Sequence, residues 1–251
     1  MKSNISPIYF RELKSLFYSP VAYLALFAFY GLSGYFFVSI VSYFAQMSMM
    51  NMRQGGVHLS DLFAAFHGNV AVTFIFLLPL VSMRMFSEEK KTGTIELLFT
   101  HPFSDLDILL GKYFASLTLL GAMLVPVALF PLLLSGAASL HWPSILTGFG
   151  GLFLVGAAFM AVGIFTSALT ENQVVAAALG FGSILLLFLI GWMEASASGF
   201  AKDLLKQLSI MNHFQDMAKG VVNLRDLSYF GLLVFLSLFA TLRVLESKKW
   251  R

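Results

Sequence analysis

The chain has 251 residues, 58% of them hydrophobic and 12% charged, with a mean hydropathy of +0.82. A soluble domain carries roughly 25% charged residues, so the composition excludes a soluble globule and marks an integral membrane protein. A net charge of +3 with a pI near 9.1 is too slight an excess for nucleic-acid binding and reads as membrane topology, while zero cysteines exclude disulfides, thiol catalysis and Cys-ligated metal.

Ile5–Tyr18 is the first predicted element. Ile5, Ile8, Tyr9, Leu13 and Leu16 fall near one helical face, with Arg11 and Lys14 elsewhere, and Pro20 stops the pattern. An amphipathic helix there would lie along the membrane interface. The first apolar run starts at Val21 and passes Phe44. That exceeds the 7–15 residues of a signal-peptide core, so it reads as an uncleaved first span over residues 20–44. A second span is predicted over 62–83, by the rule that crossing takes about 20 mostly apolar residues.

Between the second and third spans lies a charged island, residues 84–112, RMFSEEKKTGTIELLFTHPFSDLDILLGK. It holds Arg84, Glu88, Glu89, Lys90, Lys91, Glu96, Asp105, Asp107 and Lys112. Its first part reads as helix, break, helix. Ser87 is placed to N-cap a turn bearing Glu88 and Glu89, Gly93 breaks it, and Thr94 is placed to cap a second turn with Ile95, Leu98 and Phe99 on one face. Pro102 ends that turn. Ser104–Lys112 reads as a lead into the third span. Such a short two-faced helix suits either the headgroup surface or a groove on a partner.

Four more spans follow, over 113–138, 144–169, 174–193 and 227–242. Gly148, Gly151 and Gly156 with Ala157, then Ala176–Ala178 with Gly180, provide small residues for close helix packing in lipid. Pro79, Pro126 and Pro131 sit within spans, where neighbours can accommodate a kink. Only Thr170, Glu171, Asn172 and Gln173 separate the fourth and fifth spans. The fifth loop, 194–226, is amphipathic in part: Leu204, Leu205 and Leu208 oppose Lys202, Lys206 and Gln207. It is expected to be either a surface helix or a re-entrant one.

Basic residues set the orientation. Lys2, Arg11, Lys14, Arg84, Lys90, Lys91, Lys112, Arg243, Lys248, Lys249 and Arg251 fall on one side, and Arg53, Lys202, Lys206, Lys219 and Arg225 on the other. Both termini and the island are therefore expected in the cytoplasm, and the fifth loop outside despite its four cations.

No Asp, Glu, Lys or Arg is expected in the interior of a span, which disfavours an ion-coupled carrier. No G-x-x-x-x-G-K-[ST] phosphate loop is present, so ATP is not bound by this chain. Gly31-Leu32-Ser33-Gly34 has the G-x-S-G form of an intramembrane serine protease, but His58, His67, His101, His141 and His213 lie in loops or near span ends, and packing is the simpler reading. Glu88-Glu89 lacks the downstream Arg and His that a glutamate-paired intramembrane protease needs. The chain is expected to be no enzyme and to hold neither cofactor nor metal.

The run EEKKTGTIELLFTHPFSDLDILLGKY resembles the E-x-x-x-G-T-x-E-x-L-x-x-x-P signature of ABC-2 type transporter permeases. FRELKSLFYSPVAYL, SIMNHFQDMAKGVVNLRDLSYF and the terminal LESKKWR agree with it, so the resemblance spans nearly the whole chain. Within the family it is most similar to the permeases of gliding motility and of nitrous-oxide-reductase maturation. The resemblance implies an all-α integral membrane protein of the type V exporter kind, in the bacterial cytoplasmic (inner) membrane. It would have six transmembrane helices, an N-terminal interfacial helix and a cytoplasmic coupling helix. It implies a second permease copy and separate ABC ATPase subunits, which would hold ATP and Mg²⁺. The coupling role would fall on Glu88, Glu89, Thr92, Gly93, Thr94 and Glu96, with Thr170, Glu171, Asn172 and Gln173 as a second contact. The fifth loop would carry short re-entrant helices closing the outer side. The expected activity is ATP-driven export, the alternative being work passed to a periplasmic accessory protein without transport.

Overall fold

The structure, a computed structural model, describes residues 5–50, 59–94, 104–136, 140–194 and 198–248. Among these the fold is all-α, with no strand. In chain order the helices are α1 (Ile5–Tyr18), α2 (Pro20–Met50), α3 (Leu59–Ser82), α4 (Arg84–Lys91), α5 (Asp105–Val127), α6 (Phe130–Leu134), α7 (Trp142–Leu169), α8 (Gln173–Met193), α9 (Phe200–Leu208), α10 (Ile210–Ala218) and α11 (Leu224–Lys248). Among the described residues six helical stretches are long and apolar enough to cross a membrane: Pro20–Ser48, Asp61–Lys91, Asp105–Leu134, Trp142–Leu169, Gln173–Met193 and Leu224–Ser247.

These stretches outrun the apolar segments that mark them in the sequence. The third begins at Asp105 rather than Tyr113, because Ser104 and Asp107 form a reciprocal capping box: the Asp107 N–H donates to Ser104 Oγ and the Asp107 carboxylate accepts from the Ser104 backbone. It breaks near its far end, where α5 gives way to α6, since Pro131 brings no N–H to continue the ladder.

Helix α7 is the core of the bundle. It packs against α3, α5, α8, α10 and α11, and glycine lets its neighbours approach. A Cβ on Gly163 would lie 1.9 Å from Ser82 Oγ of α3, and one on Gly156 would lie 2.6 Å from the Leu120 side chain of α5. Helices α2, α8 and α11 bury little of their surface and present exposed apolar side chains such as Phe27, Leu186 and Phe235. Apolar surface of that kind is what lipid tails solvate.

The fifth loop contributes two helices of different character. Helix α9 has no buried residue, whereas α10 drives Ile210, His213, Phe214, Met217 and Ala218 into the bundle. The Phe214 ring seats where α7 carries Gly151. Thus α10 meets the Trp142 half of α7, and α4 meets the Leu169 half. At 1.5 Å per residue, the 28 residues of α7 hold the two ends about 40 Å apart.

Candidate docking surface at the charged end of the bundle

The island is positioned by the break between α3 and α4. Ser87 does not cap a new helix, as the sequence suggests. The helix has already restarted at Arg84, and the Ser87 hydroxyl donates back to the Met83 carbonyl. The reason lies on α7. Ser167 Oγ accepts from the N–H groups of Phe86 (2.9 Å) and Ser87 (3.0 Å) and donates to the Met83 carbonyl (2.7 Å). One hydroxyl thus takes the place of ladder bonds at the turn, which is how an inserted side chain kinks a helix.

Helix α4 is held on two sides. Met85, Phe86, Ser87 and Lys90 are buried, and the Lys90 ammonium donates to the Ala168 carbonyl in the last turn of α7. A cation there suits the negative end of the helix dipole. On the other side, Glu89 turns inward. Its Oε1 lies 2.9 Å from Lys112 Nζ of α5 and 3.2 Å from Arg11 of α1. Glu12 of α1 completes the cluster, 3.0 Å from Lys112 and 2.6 Å from Arg11. The Lys112 side chain is 1% exposed. It also stands 5.1 Å from the Phe86 ring centroid, within cation–π range. Burial pushes the Glu12 carboxyl up, but the Lys112 ammonium and the Arg11 guanidinium outweigh it and hold the group below the ordinary value of 4.5.

Helix α1 is strapped to α5 by this cluster and by packing. Gly111 admits Ile8 so closely that a Cβ there would lie 2.7 Å from it, and Tyr9 and Thr118 share a 2.9 Å hydroxyl hydrogen bond. Arg84 bridges its own i+4 neighbour Glu88 at 2.7 Å and the Ser19 hydroxyl between α1 and α2. The resulting cleft of about 520 Å³, lined by charged residues of α1 and α4, opens at this end.

What remains outward is a small patch. Lys91, Thr92, Gly93 and Thr94 are exposed and Glu88 is partly so. Gly93 has φ +70°, a left-handed conformation that ends α4 and strains any L side chain. Thr92 Oγ1 donates to the Glu88 carbonyl at 2.9 Å and lies 2.9 Å from Thr94 Oγ1, which fixes the turn. Glu96 and the second predicted turn lie outside the described residues.

The loop joining α7 to α8 lies against the same helix, since α4 contacts both. Asn172 caps α8, accepting from Val174 N (2.9 Å) and Val175 N (3.4 Å), and Thr170 Oγ1 accepts from Asn172 N at 3.2 Å. Of the four residues, Glu171 and Asn172 are exposed and Thr170 and Gln173 half-buried. Two segments far apart in the chain therefore form one end surface.

The arrangement leaves an exposed, partly charged surface at this end of the bundle. Among the described residues no cluster of three or more His, Asp or Glu could hold a metal ion. Ser33 is buried in α2, and its hydroxyl has no hydrogen-bond partner among the described residues. Sequence reasoning missed Glu12 and Lys112. The available signal was Glu12 itself, an acid in line with Ile8 and Leu16 on the apolar face of α1. A family model described as "ABC-2 family transporter protein" matches residues 11–245. No curated protein matches the chain.

Proposed function

The chain belongs to the ABC-2 transporter family as its membrane component, and from that premise we propose that it is the permease subunit of an exporter powered by a separate ATP-hydrolysing subunit. One observation carries the reading. The exposed turn after α4 and the α7–α8 loop form one surface, and α4 is fastened to the central helix by Ser167 and Lys90. A push on that surface is delivered to α7 through hydrogen bonds, not through flexible chain.

The roles divide by exposure. Glu88, Thr92, Gly93, Thr94 and Glu171 are the docking residues, with Glu96 completing the coupling turn in this reading. Glu89 holds α4 to α1 and α5 and is a positioning residue. Thr170, Asn172 and Gln173 shape the second contact, with Asn172 also capping α8. ATP and Mg²⁺ belong to the partner in this reading, since the sequence carries no phosphate loop.

Two copies of the permease and two ATPase subunits make the working unit in this account. The docking surface and both termini face the cytoplasm of a bacterial inner membrane, as the distribution of basic residues argues. The motif similarity to the gliding-motility and nitrous-oxide-reductase-maturation permeases makes that subgroup our assignment within the family. The second reading, transmission of work to a periplasmic partner, is favoured by the structured fifth loop at the far end of α7. A periplasmic protein retained through purification, with no substrate flux, would select it.

The experiment is co-purification with the ATP-binding subunit in detergent. Replacing residues 91–96 by a Gly-Ser stretch, which leaves the Glu89 and Lys90 anchors in place, should abolish retention while the permease stays monodisperse. Retention at the native level with a monodisperse permease would refute the docking role.

A further inference from the structure

Helix α2 buries little of its surface, yet it is tied to α5 at one chosen point. The Tyr30 hydroxyl donates to the Ala122 carbonyl of α5 at 2.6 Å. The choice of acceptor follows from the sequence of α5. In a helix the Ala122 carbonyl takes the N–H of the residue four positions on. That residue is Pro126, which has no N–H to give. Pro126 therefore frees this carbonyl, and a phenol from another span replaces the missing donor.

The depth of the bond gives it weight. Tyr30 stands ten residues beyond Pro20, about 15 Å along α2, and so midway through a hydrocarbon core of about 30 Å. No water is at hand at that depth, and a bare backbone carbonyl is costly. Separating α2 from α5 strips the carbonyl and the hydroxyl of their partners together. Contacts at other depths join the same helices. Toward the charged end, α1 is fastened to α5 by Ile8 against Gly111 and Tyr9 against Thr118, and only Ser19 separates α1 from α2. Beyond Tyr30, the Phe37 ring of α2 lies 5.0 Å from the Phe130 ring, where α6 continues the third span past its break. The two helices thus run parallel and meet at successive levels.

We propose that Tyr30 is a positioning residue: through the carbonyl that Pro126 frees, it holds α2 to α5, so that α1, α2 and α5 move as one body. Lys112, the centre of the ion cluster beside α4, belongs to α5. A push on α4 therefore reaches the first span as well as α7. That last step rests on the docking reading; the tie itself does not.

The tie is tested on the full-length permease alone, in lipid nanodiscs. Spin labels on Phe27→Cys of α2 and Val125→Cys of α5, both exposed, report the spacing of the two helices. With Tyr30 intact they should give one narrow distance, and with Tyr30→Phe a broadened or shifted one. Tyr30→Phe should also lower Tm by about 2–4 °C or more. Pro126→Ala returns an N–H to the Ala122 carbonyl, so in that background Tyr30→Phe should lower Tm by less than half as much. Equal losses in the two backgrounds would overturn the proposal. A native distance distribution in Tyr30→Phe would overturn it too, because the hydroxyl would then be an ordinary packing contact. The distance readout needs no change at Pro126, so it decides the matter even where Pro126→Ala fails to fold. In the complex with the ATP-binding subunit, the same labels should keep their spacing between nucleotide-free and ATP-trapped states. A shift of about 5 Å, one helical turn, would overturn the single-body motion. Failure of the two proteins to assemble would strike the docking reading and leave the tie standing.

Discussion

Lys112→Met removes the centre of the ion cluster that joins α1, α4 and α5. In the native cluster, Lys112 and Arg11 balance Glu12 and Glu89. The Met side chain keeps the bulk against Phe86 but leaves two carboxylates facing one guanidinium. Arg11 is half exposed and cannot compensate for both, whereas Lys112 and Glu12 are 1% and 9% exposed. Breaking a buried pair by removing one partner costs about 3–5 kcal/mol, because the other charge stays buried. In a chain of this size about 1 kcal/mol moves Tm by about 2–4 °C, so the loss should read as about 6–20 °C in detergent-solubilised protein. Glu12→Gln added to Lys112→Met removes the orphaned charge. The double variant should recover at least half of the loss, a coupling of the size expected for residues sharing one network. A single-variant loss below about 1 kcal/mol, or a double variant no better than Lys112→Met, would refute the view that the cluster holds α1 in place.

Other consequences are as direct. Ser167→Ala leaves the Phe86 and Ser87 N–H groups without their acceptor at the α3–α4 turn. With about 1–3 kcal/mol for each buried donor left unpaired, it should destabilise measurably and weaken retention of the ATP-binding subunit in the same pull-down. Gly163→Ala places a methyl into Ser82 Oγ, costing about 1–3 kcal/mol of overpacking in thermal unfolding, with partial rescue by Ser82→Gly. The Glu12 carboxyl sits below its ordinary 4.5, so its contribution to stability is full above that value and is lost as pH falls through the lower folded pKa. Proteolytic cleavage within α1 should therefore rise as pH drops below about 4.5, and Glu12→Gln should flatten that rise. An unchanged profile in Glu12→Gln would assign the acid sensitivity elsewhere.

Much of the architecture is legible because spanning a bilayer is a coarse demand. Long apolar runs announce themselves, and Gly148, Gly151 and Gly156 mark the packed helix by their small size alone. The island's place beside the α7–α8 loop is not legible, since it depends on which helices meet. Ser87 shows the limit well. It has the composition of an N-cap, but the helix continues past it because a hydroxyl on another span redirects the ladder at Met83. Lys112 looks like a solvated lead into the third span and is instead one of the most enclosed side chains in the protein. Its partners, Glu12 and Glu89, stand in two other helices, and sequence pattern says nothing about such pairings.

The proposed docking surface can be probed residue by residue, because the chain has no cysteine to interfere. Thr92→Cys and Glu171→Cys place single thiols on the two halves of the surface, and Leu224→Cys places one at the opposite end on an exposed side chain. Treated with a short thiol-to-amine crosslinker in the assembled complex, Thr92→Cys and Glu171→Cys should each couple to the ATP-binding subunit, and Leu224→Cys should not. Coupling at Leu224→Cys with none at Thr92→Cys would contradict the central claim that work enters through the turn after α4.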